Sequence, residues 1–307
     1  MESYDIAVIG AGPAGMTAAL YASRAGHRVA LFETLMPGGQ MGDTPRVDNY
    51  PGFAEGTDGF DLAMAFKQQI DALDIVQVNE QVVALEAGEG AHVLRTAAGT
   101  AYQARAVIVA SGVRTRELSV PGADELKGRG VSYCATCDGN FFKGMPVMVV
   151  GAGNAAVSAA VYLANICQTV YVVFARESLS AKSDKLAQLA KFDNVVLVPH
   201  ASVRELLEAD GKVAGAVVAD VASGQASEYQ VSAVFGAAGR VPNTEFVAGV
   251  LELDDAGFIV SNEEGTTNVA GVFAAGDVRV KRLRQIATAV GDGANAAESA
   301  GEYLSGL

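Results

Sequence analysis

The chain has 307 residues, of which 50% are hydrophobic and 19% are charged, a composition typical of a compact globular protein rather than a disordered one. Its length favours two domains over one. The formal net charge of −13 argues against nucleic acid as a partner, because binding to phosphates needs a basic surface.

The N-terminal stretch predicts a strand–helix–strand unit built around a glycine-rich turn. An apolar strand over residues 4–9 leads into GAGPAG, a helix follows over residues 16–25, and a strand over Val29–Phe32 ends at Glu33. Glycines in such a turn let a pyrophosphate approach the backbone, and the start of the helix offers unpaired N–H groups. Because an acid at the end of the second strand can accept hydrogen bonds from ribose hydroxyls, the unit predicts a dinucleotide site. The residues of that predicted site are Gly10, Gly12, Pro13, Ala14, Gly15 and Glu33.

The rest of the chain predicts further elements of an α/β protein. Residues 113–122 and 239–244 resemble linkers through which the chain would enter and leave a central domain. The expected fold is therefore α/β, with two Rossmann-like doubly wound domains in three layers and the inner domain inserted in the outer one. Helices are predicted over residues 60–73 and after Gln285. Strands are predicted at residues 82–85, His92–Thr96, 106–109, Val195–Val198, 213–219, 233–237, 258–260 and 271–274.

The strand–turn–helix–strand pattern recurs in the second half of the chain around GAGNAA. A strand over residues 147–150 precedes this motif, a helix to about Cys167 follows it, and a strand over residues 170–174 completes the unit. Residues 144–175 contain no charged side chain and are long enough to suggest a membrane span. Glycines and polar residues interrupt that stretch, so we predict strand, turn, helix and strand and no membrane span.

Two cysteines separated by two residues lie just before the second glycine turn. Cys134 and Cys137 can close a small disulfide, and this spacing supports reversible two-electron chemistry. The remaining cysteine, Cys167, is expected in the core of an apolar helix. Few cysteines and no visible secretion signal predict a reducing, cytoplasmic location, where a CxxC pair is redox-active or binds metal. A second CxxC or a close histidine pair is missing from the sequence, so no metal site is predicted, and electron transfer from a bound cofactor to a disulfide is favoured.

Taken together, seven motifs resemble the low-molecular-weight thioredoxin reductases over essentially the whole chain. They are GAGPAG at residues 10–15, PGGQ at 37–40, NYPGF at 49–53, CATCDG at 134–139, GAGNAA at 151–156, GRVPNT at 239–244 and AAGDVR at 274–279. The resemblance implies a homodimer that binds FAD and reduces thioredoxin or a thioredoxin-like protein. It also implies an FAD domain of residues 1–117 and 243–307 and an inner domain of residues 118–242 that carries the CxxC pair. The FAD contacts that it adds are Gly39, Gln40, Asn49, Val82, Ala110, Gly276, Asp277, Arg284 and Gln285.

The same resemblance implies roles for the residues of the CATCD motif. Cys137 would be the thiol that faces the flavin, and Cys134 would attack the disulfide of the substrate. Asp138 would take and return a proton during this exchange. The alternative for Asp138 is a turn or a helix cap.

The electron donor is where the chain departs from the family pattern. Members that use NADPH carry two arginines and, after three intervening residues, a third arginine beside the second nucleotide site, whereas residues 174–180 here read FARESLS and keep only Arg176. Phe174 also occupies the strand end where an NADH site would have an acid. The remnant of this second nucleotide site comprises Gly151, Gly153, Ala156 and Arg176.

Three enzymatic interpretations follow from this departure. Reduced ferredoxin as the donor is favoured, because residues 279–284 contain four basic side chains that could attract an acidic ferredoxin. The alternative for that segment is a solvated basic loop in which Arg284 serves FAD. The second interpretation is a permissive NAD(P)H site, and the third is an FAD-dependent dithiol oxidase that passes electrons to oxygen. A flavin redox sensor without turnover is the non-enzymatic alternative.

Overall fold

The computed structural model describes residues 1–44, 46–237 and 239–306. Pro45, Ala238 and Leu307, which fall inside the predicted domain ranges, lie outside the described residues. The strands are β1 (Glu2–Ile9), β2 (Val29–Phe32), β3 (Ile75–Val78), β4 (Val82–Glu86), β5 (His92–Thr96), β6 (Ala101–Val109), β7 (Val113–Thr115), β8 (Val131–Ser132), β9 (Pro146–Val150), β10 (Thr169–Val173), β11 (Val195–Val198), β12 (Ala201–Ala209), β13 (Lys212–Asp220), β14 (Ala226–Tyr229), β15 (Ala233–Gly236), β16 (Arg240–Pro242) and β17 (Val272–Ala274). The helices are α1 (Pro13–Arg24), α2 (Gly59–Asp71), α3 (Ala135–Asp138), α4 (Asn154–Ala164), α5 (Ser183–Leu189) and α6 (Ile286–Ser305).

The chain divides into two compact units. The first unit comprises Met1–Arg114 and Val241–Leu307, and the second unit is the continuous segment Thr115–Arg240. One unit is thus inserted in the sequence of the other, and the connecting strands β7 and β16 pair with each other.

The first unit is built on one sheet with strand order β3-β2-β1-β6-β5-β4, and β17 pairs with β6. The strands β3, β2, β1, β6 and β17 are parallel neighbours, whereas β4 and β5 extend the sheet in antiparallel fashion. Alternate residues of β1 enter different cores: Ile6 and Val8 pack with α1 and α6, and Ala7 and Ile9 pack on the opposite face. A parallel sheet that is covered on both faces needs such a continuous apolar strand.

The second unit repeats this arrangement on a smaller scale. Its parallel sheet has the order β11-β10-β9-β15-β8, and a separate antiparallel sheet is formed by β12, β13 and β14. The apolar stretch over residues 144–175 forms β9, α4 and β10, as predicted. Within the described ranges, no helix combines the length and the apolar character needed to cross a membrane. The two parallel sheets confirm the expected α/β fold with two doubly wound units.

Most predicted elements are confirmed with small shifts at their ends, and one is wrong. The predicted strand at residues 258–260 is not regular: Ile259 forms only isolated bridges with Leu253 and Arg279. The sequence prediction also missed eight of these elements. They are β3, β7, β8, β12, β14, β16, α3 and α5.

Candidate functional site

In the first unit, the predicted site residues follow the carboxyl ends of neighbouring parallel strands. Gly10 follows β1, Glu33 follows β2 and Ala110 follows β6. The ends of these strands are level, because Ile9 is in register with both Phe32 and Val109. The structure therefore brings the three positions to one edge of the sheet, the edge where open α/β sheets bind their ligands.

The glycine turn is closely packed at Gly10 and open at Gly12. Gly10 has φ +101°, and a Cβ built there would lie 2.5 Å from the Ala110 carbonyl oxygen. A Cβ on Gly12, the N-cap of α1, would meet nothing within 4 Å, and no side chain caps this helix. The start of α1 therefore has space beside Gly12 and no side-chain cap on its N–H groups, an arrangement that suits a pyrophosphate.

Glu33 fixes the turn as well as facing the site. Its carboxylate accepts hydrogen bonds from the backbone N–H of Ala11 at 2.9 Å and from that of Thr34 at 2.8 Å. The loop with the PGGQ motif also docks on the turn, since Gly38 N donates to the Ala11 carbonyl oxygen at 2.8 Å. Gly39 has φ +52°, and its Cβ would lie 3.3 Å from the Gly12 Cα. These contacts place the PGGQ loop beside the N-terminus of α1.

Four further predicted residues have defined surroundings in the first unit. Asn49 Nδ2 donates to Gln285 Oε1 at 2.9 Å, and Gln285 forms a capping box at the start of α6. Gln40 Nε2 donates to the Val113 carbonyl oxygen at 2.5 Å. Val82 is buried at the start of β4, and its predicted backbone contact with the cofactor stays a prediction.

The basic segment at residues 279–284 is not the surface patch that the sequence suggested. Arg279 is buried, with an exposed fraction of 6%, and both Arg279 and Lys281 pair with Asp292. The guanidinium of Arg284 stacks 4.1 Å from the centre of the Phe258 ring and donates to three backbone carbonyls. Of the four cations, only Arg282 is classed as exposed. The prediction of a basic docking face for an acidic protein was therefore wrong.

The second unit carries the redox pair. Cys134 and Cys137 form a disulfide, with their Cα atoms 5.3 Å apart, and both residues are half-buried. Cys134 is the N-cap of the short helix α3, and its carbonyl oxygen accepts hydrogen bonds from the N–H groups of Cys137 and Asp138. This turn holds the two sulfurs within bonding distance of each other, so the pair can open and close with little movement of the backbone.

Ser132, which the sequence analysis did not consider, connects Asp138 to the cysteines. The Ser132 hydroxyl donates to Asp138 Oδ2 at 2.6 Å and accepts a hydrogen bond from Cys134 N at 3.1 Å. Asp138 ends α3 and stands at the N-cap position of the 3-10 turn that follows, but its carboxylate makes no cap bond to either, and its assignment to proton transfer stays a prediction. A hydroxyl two residues before a CxxC motif was the available signal for Ser132.

Cys167 is a core residue, as predicted, although it lies three residues past the end of α4 rather than inside the helix. It has an exposed fraction of 6% and packs with Val170 and Leu163. Burial raises the pKa of the Cys167 thiol to about 11. It is therefore chemically separate from the CxxC pair.

This separation predicts the outcome of thiol alkylation. After reduction of the disulfide, iodoacetamide at pH 8 should modify Cys134 and Cys137 and leave Cys167 unmodified, because roughly one Cys167 thiol in a thousand is ionised three pH units below its pKa. Mass spectrometry of the peptides would measure this. Unfolding in guanidinium should make all three thiols react, and comparable labelling of Cys167 in the folded protein would contradict the account.

The second glycine turn keeps its backbone geometry but has few charged side chains near it. Gly151 has φ +148°, and a Cβ there would lie 2.5 Å from the Ala237 carbonyl oxygen. Gly153 is the N-cap of α4 without a side-chain cap, and Ala156 is fully buried behind the turn. Arg176 is exposed in the loop after β10. The structure thus groups the glycines and Ala156 at one turn and leaves Arg176 on a separate loop.

The surroundings of this second turn explain the departures seen in the sequence. Phe174 is buried beneath α4 and α5, so the place of a ribose-binding acid is part of the core. Two lysines that the sequence analysis missed lie near the turn. Lys182 N donates to Asn154 Oδ1 at 2.9 Å, and the Lys185 ammonium bonds the Ser158 hydroxyl.

Comparisons with known proteins agree on one group. A family model described as pyridine nucleotide-disulphide oxidoreductase matches residues 4–293. The chain is 41% identical over 312 residues to a thioredoxin reductase of Bacillus subtilis, covering 99% of this chain and 96% of that protein. It is 42% identical over 307 residues to a thioredoxin reductase of Listeria monocytogenes, covering 99% and 95% of the two chains. Among solved structures, it is similar to a thioredoxin reductase from Streptococcus pyogenes, with a TM-score of 0.90, 38% identity and 99% of each chain covered.

Proposed function

Since the chain belongs to the pyridine nucleotide-disulphide oxidoreductase family, we propose that it reduces a protein of the thioredoxin type. It is a thioredoxin-reductase-like flavoprotein disulfide oxidoreductase that uses FAD. The observation that carries this proposal is the Cys134–Cys137 disulfide with Asp138 bound to Ser132 beside it. A buried cysteine pair without a nearby group to carry a proton could be a purely structural disulfide. The half-buried pair with an adjacent carboxylate is suited to exchange with a substrate disulfide.

The residues at the strand ends of the first unit are those we assign to FAD. Gly10, Gly12 and the start of α1 would hold the pyrophosphate, and the Glu33 carboxylate would accept hydrogen bonds from the ribose hydroxyls. Asp277 and Asn49 would face the ribityl side of the cofactor. Bound there, FAD supplies a two-electron reductant for the disulfide.

The chemistry of the second unit is thiol–disulfide exchange. Starting from the dithiol, the Cys134 thiolate attacks one sulfur of the substrate disulfide, which forms a mixed disulfide and releases one substrate thiolate. The Cys137 thiolate then attacks the Cys134 sulfur, which releases the second substrate thiolate and re-forms the Cys134–Cys137 disulfide. Two electrons pass to the substrate, and we assign to Asp138 the transfer of a proton that accompanies this exchange.

For the electron donor, we propose a nicotinamide dinucleotide at the second glycine turn. The sequence favoured ferredoxin on two grounds: the missing arginines and the basic segment. The second ground has gone, because Arg279 and Lys281 pair with Asp292 inside the first unit. The intact turn at Gly151, the exposed Arg176 and the Lys185 ammonium bonded to α4 support a weakly selective dinucleotide site instead. The homodimer and the cytoplasmic location stay predictions.

An anaerobic assay separates the candidate donors and functions. The holoprotein is mixed in turn with NADPH, NADH and reduced ferredoxin, and the visible absorbance of FAD is followed. We expect both nucleotides to bleach the flavin. Oxidised thioredoxin added afterwards should restore the flavin absorbance and should itself gain free thiols. Bleaching by ferredoxin alone would contradict the proposed donor. In a further arm, the holoprotein is mixed with a small dithiol and oxygen is then admitted: bleaching by the dithiol with re-oxidation only by oxygen would indicate a dithiol oxidase. Binding of thioredoxin without thiol formation would indicate a sensor.

Asp138 gives a prediction that tests the proton path. Asp138→Asn should lower the rate of thioredoxin reduction by roughly a hundredfold or more, since a positioned acid or base contributes factors of this size. Flavin bleaching by the donor should keep its wild-type rate. Asp193→Asn, an exposed acid of the same unit, is the matched control and should leave both rates unchanged. A wild-type rate of thioredoxin reduction in Asp138→Asn would remove Asp138 from the mechanism.

A further inference from the structure

A carboxylate near the middle of α6 collects three donors from the segment that follows β17. Asp292 Oδ2 accepts hydrogen bonds from Gly276 N at 3.0 Å and from Lys281 Nζ at 2.6 Å. Its second oxygen lies 3.3 Å from a guanidinium nitrogen of Arg279. The side chain of Asp292 is only 15% exposed. We call Asp292, Arg279 and Lys281 the ion triad.

Both cations of the ion triad are withdrawn from water. The side chain of Arg279 is 8% exposed and that of Lys281 is 10% exposed. Arg279 also donates to the Asn262 carbonyl oxygen at 2.5 Å, and Lys281 donates to that of Thr288 at 3.3 Å. Because a desolvated charge is costly without its partner, Asp292 is the group that makes this arrangement possible.

The ion triad acts on the residue next to the proposed FAD ligand. Gly276 has φ +78°, and a Cβ on it would lie 2.8 Å from the Cβ of Ala14 in the glycine turn. Its N–H bond to Asp292 fixes the Ala275–Gly276 peptide, one residue before Asp277. The neighbouring Gly293 packs α6 directly on α1, where a Cβ would lie 2.2 Å from the Ala14 carbonyl oxygen. Asp292 therefore ties α6 to the Ala275–Gly276 peptide at the point where Gly276 and Gly293 pack on Ala14 of the glycine turn.

We propose that Asp292 is a positioning residue of the FAD site: through the ion triad and the Gly276 N–H it holds Asp277 in the conformation that binds the cofactor. The inference rests on the proposed assignment of Asp277 to FAD. The basic segment at residues 279–284 thus contributes to cofactor binding, with its charges turned inward.

The test compares FAD affinity with the stability of the protein. We would measure the dissociation constant of FAD from quenching of flavin fluorescence, and the melting temperature of the FAD-free full chain, for Asp292→Asn. The expected result is a dissociation constant raised by about tenfold or more, which corresponds to the loss of one charged interaction. Asp292→Glu keeps the charge and should restore part of the affinity. Glu298→Gln, the same change at an exposed position of α6, is the matched control and should leave the affinity unchanged.

The possible results distinguish the positioning role of Asp292 from the assignment of Asp277 to FAD. A lower melting temperature with an unchanged dissociation constant in Asp292→Asn would make the ion triad purely structural and overturn the inference. An unchanged dissociation constant in Asp277→Ala would overturn the assignment of Asp277 itself. If Asp292→Asn does not fold, Lys281→Met serves in its place: it should also weaken FAD binding, and wild-type affinity there would contradict the inference.

Discussion

Cys137→Ser should lower the rate of thioredoxin reduction by at least about a thousandfold, because a hydroxyl cannot resolve the mixed disulfide that Cys134 forms with its substrate. The remaining thiol can complete only half of the exchange, and the structure places no other thiol close by: Cys167 is buried within the core of the second unit. Stopped-flow measurement of thiol formation on oxidised thioredoxin would quantify the loss. Reduction of the flavin by the donor should continue, since the variant leaves the first unit untouched.

Cys167→Ala is the matched control for this variant. It also removes one of the three thiols, yet it should retain the wild-type rate of thioredoxin reduction with a modest loss of stability from the small cavity. A trapped covalent complex between thioredoxin and Cys134 in Cys137→Ser would be a direct sign of the expected arrest. Turnover close to the wild-type rate in Cys137→Ser would refute the role of the disulfide.

The second large effect is expected from Gly15→Ala. A Cβ on Gly15 would lie 1.7 Å from the Gly10 carbonyl oxygen, which is backbone of the same glycine turn and cannot move without opening it. We expect a destabilisation of about 3 kcal/mol or more, at the upper end for overpacked sites, together with loss of FAD binding. Thermal unfolding of the holoprotein and its ratio of absorbance at the flavin and protein bands would measure both effects.

Gly291→Ala is the control for that change. Gly291 lies in α6, where an added Cβ would meet nothing within 4 Å. Alanine is favoured over glycine in a helix by about 1 kcal/mol, so this variant should be neutral or slightly more stable. Normal FAD content and stability in Gly15→Ala would show that the turn tolerates a side chain, against the close packing described above.

The sequence allowed the fold to be predicted where local patterns and tertiary structure agree. The strand–turn–helix units at Gly10 and Gly151 combine an apolar strand, a glycine motif and an apolar helix, and each feature favours the same structure. The β12 strand was missed because its residues, ASVRELLEA, include leucines, glutamates and alanines that favour a helix. Pairing with β13 overrides this preference. The strand at residues 258–260 was predicted from apolar character alone, which does not ensure a full pairing partner.

Some residues of the candidate site were predictable from local motifs, and others were not. Motifs identified the glycine turns, the cysteine pair and Asp138, because each has a fixed spacing in the chain. Ser132 and Asp292 were missed because their partners come from the fold: the Ser132 hydroxyl reaches Asp138 through the turn of α3, and Asp292 meets Gly276 from a separate helix. The basic segment misled for a related reason, since a run of charges does not reveal which side chains turn inward.

If the flavin and the Cys134–Cys137 disulfide form one electron-transfer system, an anaerobic reductive titration should fill both with electrons. Dithionite is added stepwise to the holoprotein while flavin absorbance and free thiols are recorded. We predict an uptake of about four electrons per FAD, two for the flavin and two for the disulfide, with free thiols appearing at Cys134 and Cys137. Cys137→Ser should take up about two. An uptake of two electrons by the wild-type protein, with the disulfide intact while the flavin is fully bleached, would contradict the account.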